Sequence, residues 1–317
     1  MPKVIALSGG VGGSKLVEGF ARTCRPGELL VIANTGDDFT HLGLHISPDI
    51  DTVIYTCTGR SNPQTGWGQD GETWSFMDML HILGGPDWFK LGDRDLAMHV
   101  WRTHRLSQGA SLTAVTQELA ERCGLTFPLL PMSDDPVRTV VETTEGLLPM
   151  QRYFVERRCA PVVTGLLYEG AETARPNPTL MANLQDPELE AIVICPSNPF
   201  LSIDPILALP GLRQALRNAP APVVAVTPII GGRAIKGPTA KMMAELGLPV
   251  DAAAVARHYA GLIDLFVLDE QDAYLTGEVA AAGIKPFPAE TMMHDTADRI
   301  ALAKAVLNAA AAAHQTL

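Results

Sequence analysis

Four glycines lie between Ser8 and Gly13 in the stretch SGGVGGSK, directly after the apolar run VIAL. Each glycine costs conformational entropy on folding, so such a loop implies something that must approach the backbone closely. Main-chain N–H groups cleared of side chains cradle a phosphate, and a helix beginning there turns its positive end to the same anion. Gly10, Val11, Gly12 and Gly13 are therefore candidate binding positions, and Lys15 adds a cation. The spacing lacks the last glycine of GxGxxG and misses GxxxxGK[ST]. A tight strand-to-helix turn without a ligand therefore stands as the alternative.

A second loop, NTGDDFTHLGLHISPDID, begins at Asn34 and gathers Asp37, Asp38, Asp49 and Asp51. Carboxylates brought together repel unless a cation joins them. Mg2+ accepts one or two of them and keeps its other positions for water and substrate phosphates. The competing reading has Asp49 and Asp51 starting a helix and favouring its positive end. In GDRDLAMHVWRTHRL, Asp93 stands at an N-cap position and Arg94 in the first turn, where the dipole does not favour a cation. A bound anion would explain it, which makes Arg94 a candidate phosphate clamp. The same segment predicts an apolar helix face of Leu96, Val100 and Trp101, with His99 either a site residue or a hydrogen-bonded core histidine.

Other loops are less specific. LPMSDDPVRT carries Ser133, Asp134, Asp135 and Arg138, and a structural Asp-Pro turn competes with any binding role. CPSNP and TPIIGG can shape a ring pocket through main-chain groups. Trp67, between two glycines, can stack on a planar ligand or serve as core. There is no Ser-His-Asp ordering, no HExxH, and no cysteine with an evident base, so covalent and zinc-hydrolase chemistry have little support. A phosphate cradle, a carboxylate-held cation and an arginine clamp are the parts of phosphoryl transfer.

These loops need a scaffold that brings them together. KVIAL, ELLVIANT, AIVICPSNP, PVVAVTPIIGG and LIDLFVLDE read as buried strands, and helical patterns such as KLVEGFART and SLTAVTQELAERCG separate them. VRTVVETTEGLLPM predicts a hairpin, and TADRIALAKAVLNAAAAAH a closing helix. The alternation predicts an α/β fold, with a Rossmann-like, mostly parallel sheet and helices on both faces. A single domain is expected, its core about 1–60 and 190–317, with an inserted helical region and β-hairpin over about 61–189. In such sheets ligands bind at the carboxyl ends of strands, where the polar loops fall.

The 317 residues are 47% hydrophobic, ample for a large core, and 35 acidic residues outnumber 24 basic ones, a net charge of −11. That balance, without a basic cluster, argues against nucleic acid as a partner. Five scattered cysteines suit reduced thiols, and no apolar run reaches membrane-spanning length, so a soluble, cytoplasmic protein without membrane association is expected.

In combination, SGGVGGSK, NTGDD, ISPDIDT, GWG, LGDRDLAMH, LPMSDDPVRT, PSNPFLSIDPIL and TPIIGGRAIKGP resemble, in order, the 2-phospho-L-lactate transferases known as the CofD family of coenzyme F-420 biosynthesis. The resemblance spans Ser8 to about Asp272. It implies transfer of a phospho-acid from a GDP-linked donor to the ribityl hydroxyl of the deazaflavin Fo, with release of GMP and Mg2+ as cofactor, by a homodimer. It also implies Asp37 and Asp51 as metal ligands with Asp49 close by. The glycine loop and Arg94 would lie on the diphosphate, and Ser197, Asn198, Thr227 and Gly231 near nucleotide or deazaflavin. Asn34 and Ser133 sit in two of the shared motifs and are counted as binding positions; Asp49, Asp51 and Arg94 are the catalytic candidates. The acid carried (phospholactate, phosphoenolpyruvate or 3-phosphoglycerate) is left open. Two rivals remain: a nucleotide-sugar-binding regulator from a related non-enzymatic branch, and a nicotinamide oxidoreductase.

Overall fold

A computed structural model of the chain describes residues 2–64 and 66–314. Seven runs pair in a single parallel sheet: β1 (Val4–Ser8), β2 (Leu29–Ala33), β3 (Leu129–Pro131), β4 (Ala191–Ile194), β5 (Val223–Val226), β6 (Leu265–Asp269) and β7 (Lys285–Ala289). Their order across the sheet is β7-β6-β5-β4-β1-β2-β3. The chain runs outward from β1 through β2 to β3, then returns to lay β4 on the other side of β1. This reversal opens a crevice at the carboxyl ends of β1 and β4, the place where sheets of this kind bind ligands.

The inner strands are buried along their whole length, because helices cover both faces. Side chains alternate between two cores: Val4 and Ala6 point to one, Ile5 and Leu7 to the other. The first core is closed by α1 (Gly10–Ala21) and α2 (Pro48–Cys57). After the exposed α3 (Ser75–Ile82) and α4 (Asp93–Ser107), α5 (Leu112–Cys123) and α6 (Thr296–His314) complete the face. α5 begins at Ser111, whose hydroxyl accepts from the Ala114 N–H, and stops at Gly124 in the left-handed region (φ +88°). Leu16, Val17 and Phe20 of α1 are fully buried against this core. Truncating Phe20 to alanine would cost about 3–5 kcal/mol.

The Rossmann-like expectation holds, with three corrections. β3 lies inside the stretch expected to be an insertion, yet it extends the main sheet by pairing with β2. Together with β7 it escaped sequence reading because both are short edge strands flanked or interrupted by proline, which only an edge tolerates. The expected hairpin exists (Arg138–Thr143 with Gly146–Pro149), but a third strand, Val163–Glu169, joins it to make a separate antiparallel sheet. Finally, the first helix begins at Gly10 rather than beyond the glycines, so Gly10 to Gly13 form its first turn.

Candidate active site

The crevice between β1 and β4 deepens into a cavity of about 790 Å³. Its floor is stitched from three segments. The Gly9 N–H donates to Ser197 Oγ in the loop after β4 (3.2 Å), and the Gly10 N–H donates to Asp49 Oδ1 in the first turn of α2 (2.6 Å). Asn34, just past β2, donates from Nδ2 to Asp49 Oδ2 (2.9 Å) and to the Leu201 carbonyl (3.2 Å), while its Oδ1 accepts from the Gly36 N–H. Asn34 thus orients Asp49 from behind and does not itself line the cavity.

The glycines divide by what faces them. A Cβ on Gly12 would stand 2.3 Å from the Pro196 carbonyl, and one on Gly13 would meet the Ser8 and Ser197 hydroxyls at 2.5 and 2.6 Å. These two are glycine because the loop after β4 packs against α1. Gly10 differs: its φ is +64°, and the space a side chain would take is open. The first N–H groups of α1 have no partner within the helix, and Val11 and Gly12 border the cavity, so its wall carries the positive end of a twelve-residue helix.

The aspartates fall into two groups. Asp37 and Asp49, each only 5% exposed, share the first. Burial, then the neighbouring Asp49 carboxylate, pushes the Asp37 carboxyl well above the usual carboxylate range, and Asp37 Oδ1 accepts no hydrogen bond. Burial likewise raises Asp49 to about 6. Asp38 turns away from the cavity, held by His45 Nε2 (3.0 Å) and the Ser47 hydroxyl (2.8 Å).

Asp51 belongs to the second group, on facing surfaces of α2 and α4. The guanidinium of Arg102, fully buried, grips both Asp51 oxygens, from Nη1 (3.1 Å) and Nη2. The same Nη1 stands 3.2 Å from His99 Nδ1, a contact in which the ring nitrogen accepts because arginine has only donors. His99 Nε2 stands 3.4 Å from Asp95 Oδ2, and the Tyr55 hydroxyl donates to Asp95 Oδ1 (2.5 Å). Asp51, Asp95 and His99 offer ligand atoms within 4.8 Å of one another. That group already has a counter-ion in Arg102.

The opposite wall is aromatic and cationic. Trp88 and Phe89 line the cavity and belong to a ring cluster with Phe39 and His41 (Phe39–Phe89 centroids 4.9 Å apart, edge to face). Arg152 lies over the outer face of Trp88 at 4.3 Å. Trp67 also lines the cavity, edge to face with Trp74. Lys15 donates to the Met293 carbonyl (2.7 Å), and burial, then Arg299 and Lys236, lowers its proton affinity. Lys236 also borders the cavity, with its ammonium 2.4 Å from where a Cβ of Gly66 would stand.

Residues 4–309 match the family described as 2-phospho-L-lactate transferase CofD. A phosphoenolpyruvate transferase of Streptomyces griseus is 40% identical over 97% of this chain and 98% of its own. A 2-phospho-L-lactate transferase of Methanosarcina mazei is 37% identical over 96% of this chain and 100% of its own. The chain belongs to the CofD family. A crystal structure of a UPF0052-family protein from Bacillus halodurans shares the fold, with TM-score 0.62 over 96% of this chain and 98% of that one, at 13% identity.

Set against the motifs of this transferase family, the structure brings Gly10, Val11, Gly12, Lys15, Asp37, Asp49 and Asp51 to the lining of one cavity. Trp67, Ser197, Asn198 and Thr227 complete the lining. The Asn198 side chain is engaged in capping, accepting from the Phe200 and Leu201 N–H groups, and the Thr227 hydroxyl closes its own turn onto Ile229. Other expected residues lie elsewhere. Ser133 donates to the Arg175 carbonyl, the Gly231 N–H binds Asp272, and Gly13 packs beneath the loop after β4. Arg94 is exposed and donates to the Asp70 carbonyl (2.8 Å), bracing the 60–71 loop. The expected apolar face of α4 is inverted: its buried residues are Asp95, His99 and Arg102, while Val100 and Trp101 are exposed. Sequence reading missed Arg102, Asp95, Tyr55, Lys236 and the aromatic wall. The spacing 95, 99, 102, a polar stripe at i, i+4, i+7, was the available signal.

Proposed function

We propose that the protein transfers a phospho-acid unit from a GDP-linked donor to the terminal ribityl hydroxyl of Fo, releasing GMP, in coenzyme F-420 biosynthesis. One observation carries this reading: the amino end of α1, the buried aspartates and the loop after β4 meet in one cavity at the switch point of the sheet. The donor is polyanionic, and Lys15, Lys236 and the N–H groups of α1 supply positive potential there although the chain as a whole is acidic. The aromatic wall of Trp88 and Phe89 suits a planar ring system.

The aspartates also suit Mg2+. Asp37 presents a buried oxygen without a partner, and burial makes the two carboxylates of its group hold protons more tightly than usual, so a cation placed between them would be held by both. Asp37 and Asp51 would hold the ion, with Asp49 beside them; when bound, it neutralises charge on the diphosphate. In the reaction the ribityl oxygen forms a bond to the phosphorus bearing the acid, and the bond from that phosphorus to the GMP oxygen breaks. The hydroxyl proton passes to Asp49, whose carboxyl burial raises to about 6; burial raises Asp51 too, but both its oxygens are already gripped by Arg102. The backbone N–H groups of Val11 and Gly12 receive the diphosphate oxygens. A cytoplasmic homodimer is part of the same proposal; among the described residues no helix is long and apolar enough to cross a membrane.

The test incubates the protein with Mg2+, Fo and, in turn, guanylylated phospholactate, phosphoenolpyruvate and 3-phosphoglycerate. Mass spectrometry should find GMP and one phospho-acid adduct of Fo, which names the acid. No adduct from any donor, with no rise in Fo fluorescence polarisation, overturns the assignment in favour of a ligand-binding regulator.

A further inference from the structure

The aspartates assigned to the metal are electrostatically unlike. Asp37 has no cation against it among the described residues, and one of its oxygens is unpartnered. Asp51 is held by a guanidinium that no solvent reaches, through both oxygens, and that same guanidinium is anchored on His99 and the His45 carbonyl (3.5 Å). A bidentate fork fixes the plane of the carboxylate and offsets its charge. Mg2+ gives up its water reluctantly and needs concentrated negative charge to do so. With Asp51 compensated, the protein alone offers too little; the missing negative oxygens are those of the donor's diphosphate.

We infer that Arg102 is a positioning residue that couples the divalent cation to the nucleotide: it locks Asp51 in place and offsets its charge, so that the metal is retained only together with a diphosphate. This rests on the functional reading given above and deepens it. By linkage, the factor by which a diphosphate tightens the metal equals the factor by which the metal tightens the diphosphate.

The experiment measures Mn2+ binding by electron paramagnetic resonance, and Mg2+ binding by calorimetry, on the protein alone and with saturating GDP, without Fo. The wild type should bind the metal at least tenfold more tightly with GDP than alone. Arg102→Met keeps the length of the side chain without its charge. It should bind Mn2+ in the absence of GDP at least tenfold more tightly than the wild type and show a smaller GDP effect. Arg102→Lys, with charge but no fork, should return weak metal binding while kcat stays at least tenfold down, since the plane of Asp51 is no longer set. A merely structural arginine would not tighten metal binding when removed. If Arg102→Met does not fold, as judged by circular dichroism, the wild-type comparison and Arg102→Lys decide. Equal metal affinity with and without GDP overturns the inference alone. GDP that shows no binding at any metal concentration overturns the functional reading and the inference with it.

Discussion

Asp37→Asn should stabilise the ligand-free protein while destroying its activity. The Asp37 carboxylate is buried beside Asp49, and both carboxyls are pushed upward, Asp49 to about 6. Against an ordinary value of ~3.9, that rise is worth ~3 kcal/mol of penalty on ionised Asp49, most of it from burial. An amide at position 37 removes the burial penalty on the Asp37 carboxylate and its repulsion with Asp49. The offsetting loss is small, because Asp37 Oδ1 accepts no hydrogen bond. The net gain should be about 1–3 kcal/mol at pH 7.5. The pH dependence has a definite sign. Below the unfolded value both states are protonated and no penalty exists; it grows as pH rises towards the raised folded values, about 6 for Asp49. Urea unfolding in EDTA from pH 4 to 8 should therefore show the wild type losing stability across that range, with the variant gaining its advantage only towards neutral pH. Turnover of the variant should fall at least a hundredfold. A variant no more stable than wild type at pH 7.5, or equally favoured at pH 4, would refute the reasoning.

Gly12→Ala should lose at least 2 kcal/mol in a thermal melt, because its methyl meets the Pro196 carbonyl at 2.3 Å; Gly10→Ala, in open space at φ +64°, should cost only about 1 kcal/mol and raise the KM of the donor instead. Arg94→Ala should change donor KM less than threefold, since its guanidinium braces the Asp70 carbonyl, whereas Lys236→Ala on the cavity wall should raise it about tenfold. In the presence of GDP, Mg2+ should raise the melting temperature of the wild type at pH 7.5 but not at pH 4.5, where Asp49 holds its proton, and Asp37→Asn should abolish that rise.

Much of the scaffold was legible because a parallel sheet buried on both faces leaves uninterrupted β-branched runs, and VIALS, LLVIA, AIVI, VVAV and LFVLD all became inner strands. The edge strands LLP and KPFPA were not, since proline at an edge costs little and reads locally as a turn. Loops at strand ends could be ordered from sequence because topology alone sends them to the crevice. That is why the first glycine loop, Asp37, Asp49 and Ser197 converge as expected.

Helix α4 failed for the opposite reason. Its hydrophobic residues suggested which face to bury, but Trp101 instead lies over α5, donating to Glu118 with Arg122 above its ring, and the polar stripe of Asp95, His99 and Arg102 turns inward. Burying a guanidinium is unfavourable unless a carboxylate is already waiting in fixed geometry. The partner, Asp51, lies on α2, 51 positions earlier, so no local pattern could announce the pair. Arg94 and Arg102 are equal candidates by residue type, and only the packing of α4 on α2 separates a loop brace from the cation that grips Asp51. The stability that tolerates such a pair comes from the two apolar cores flanking the sheet, not from the site. It follows that neutral substitutions in the site should cost the protein its chemistry well before they cost it its fold.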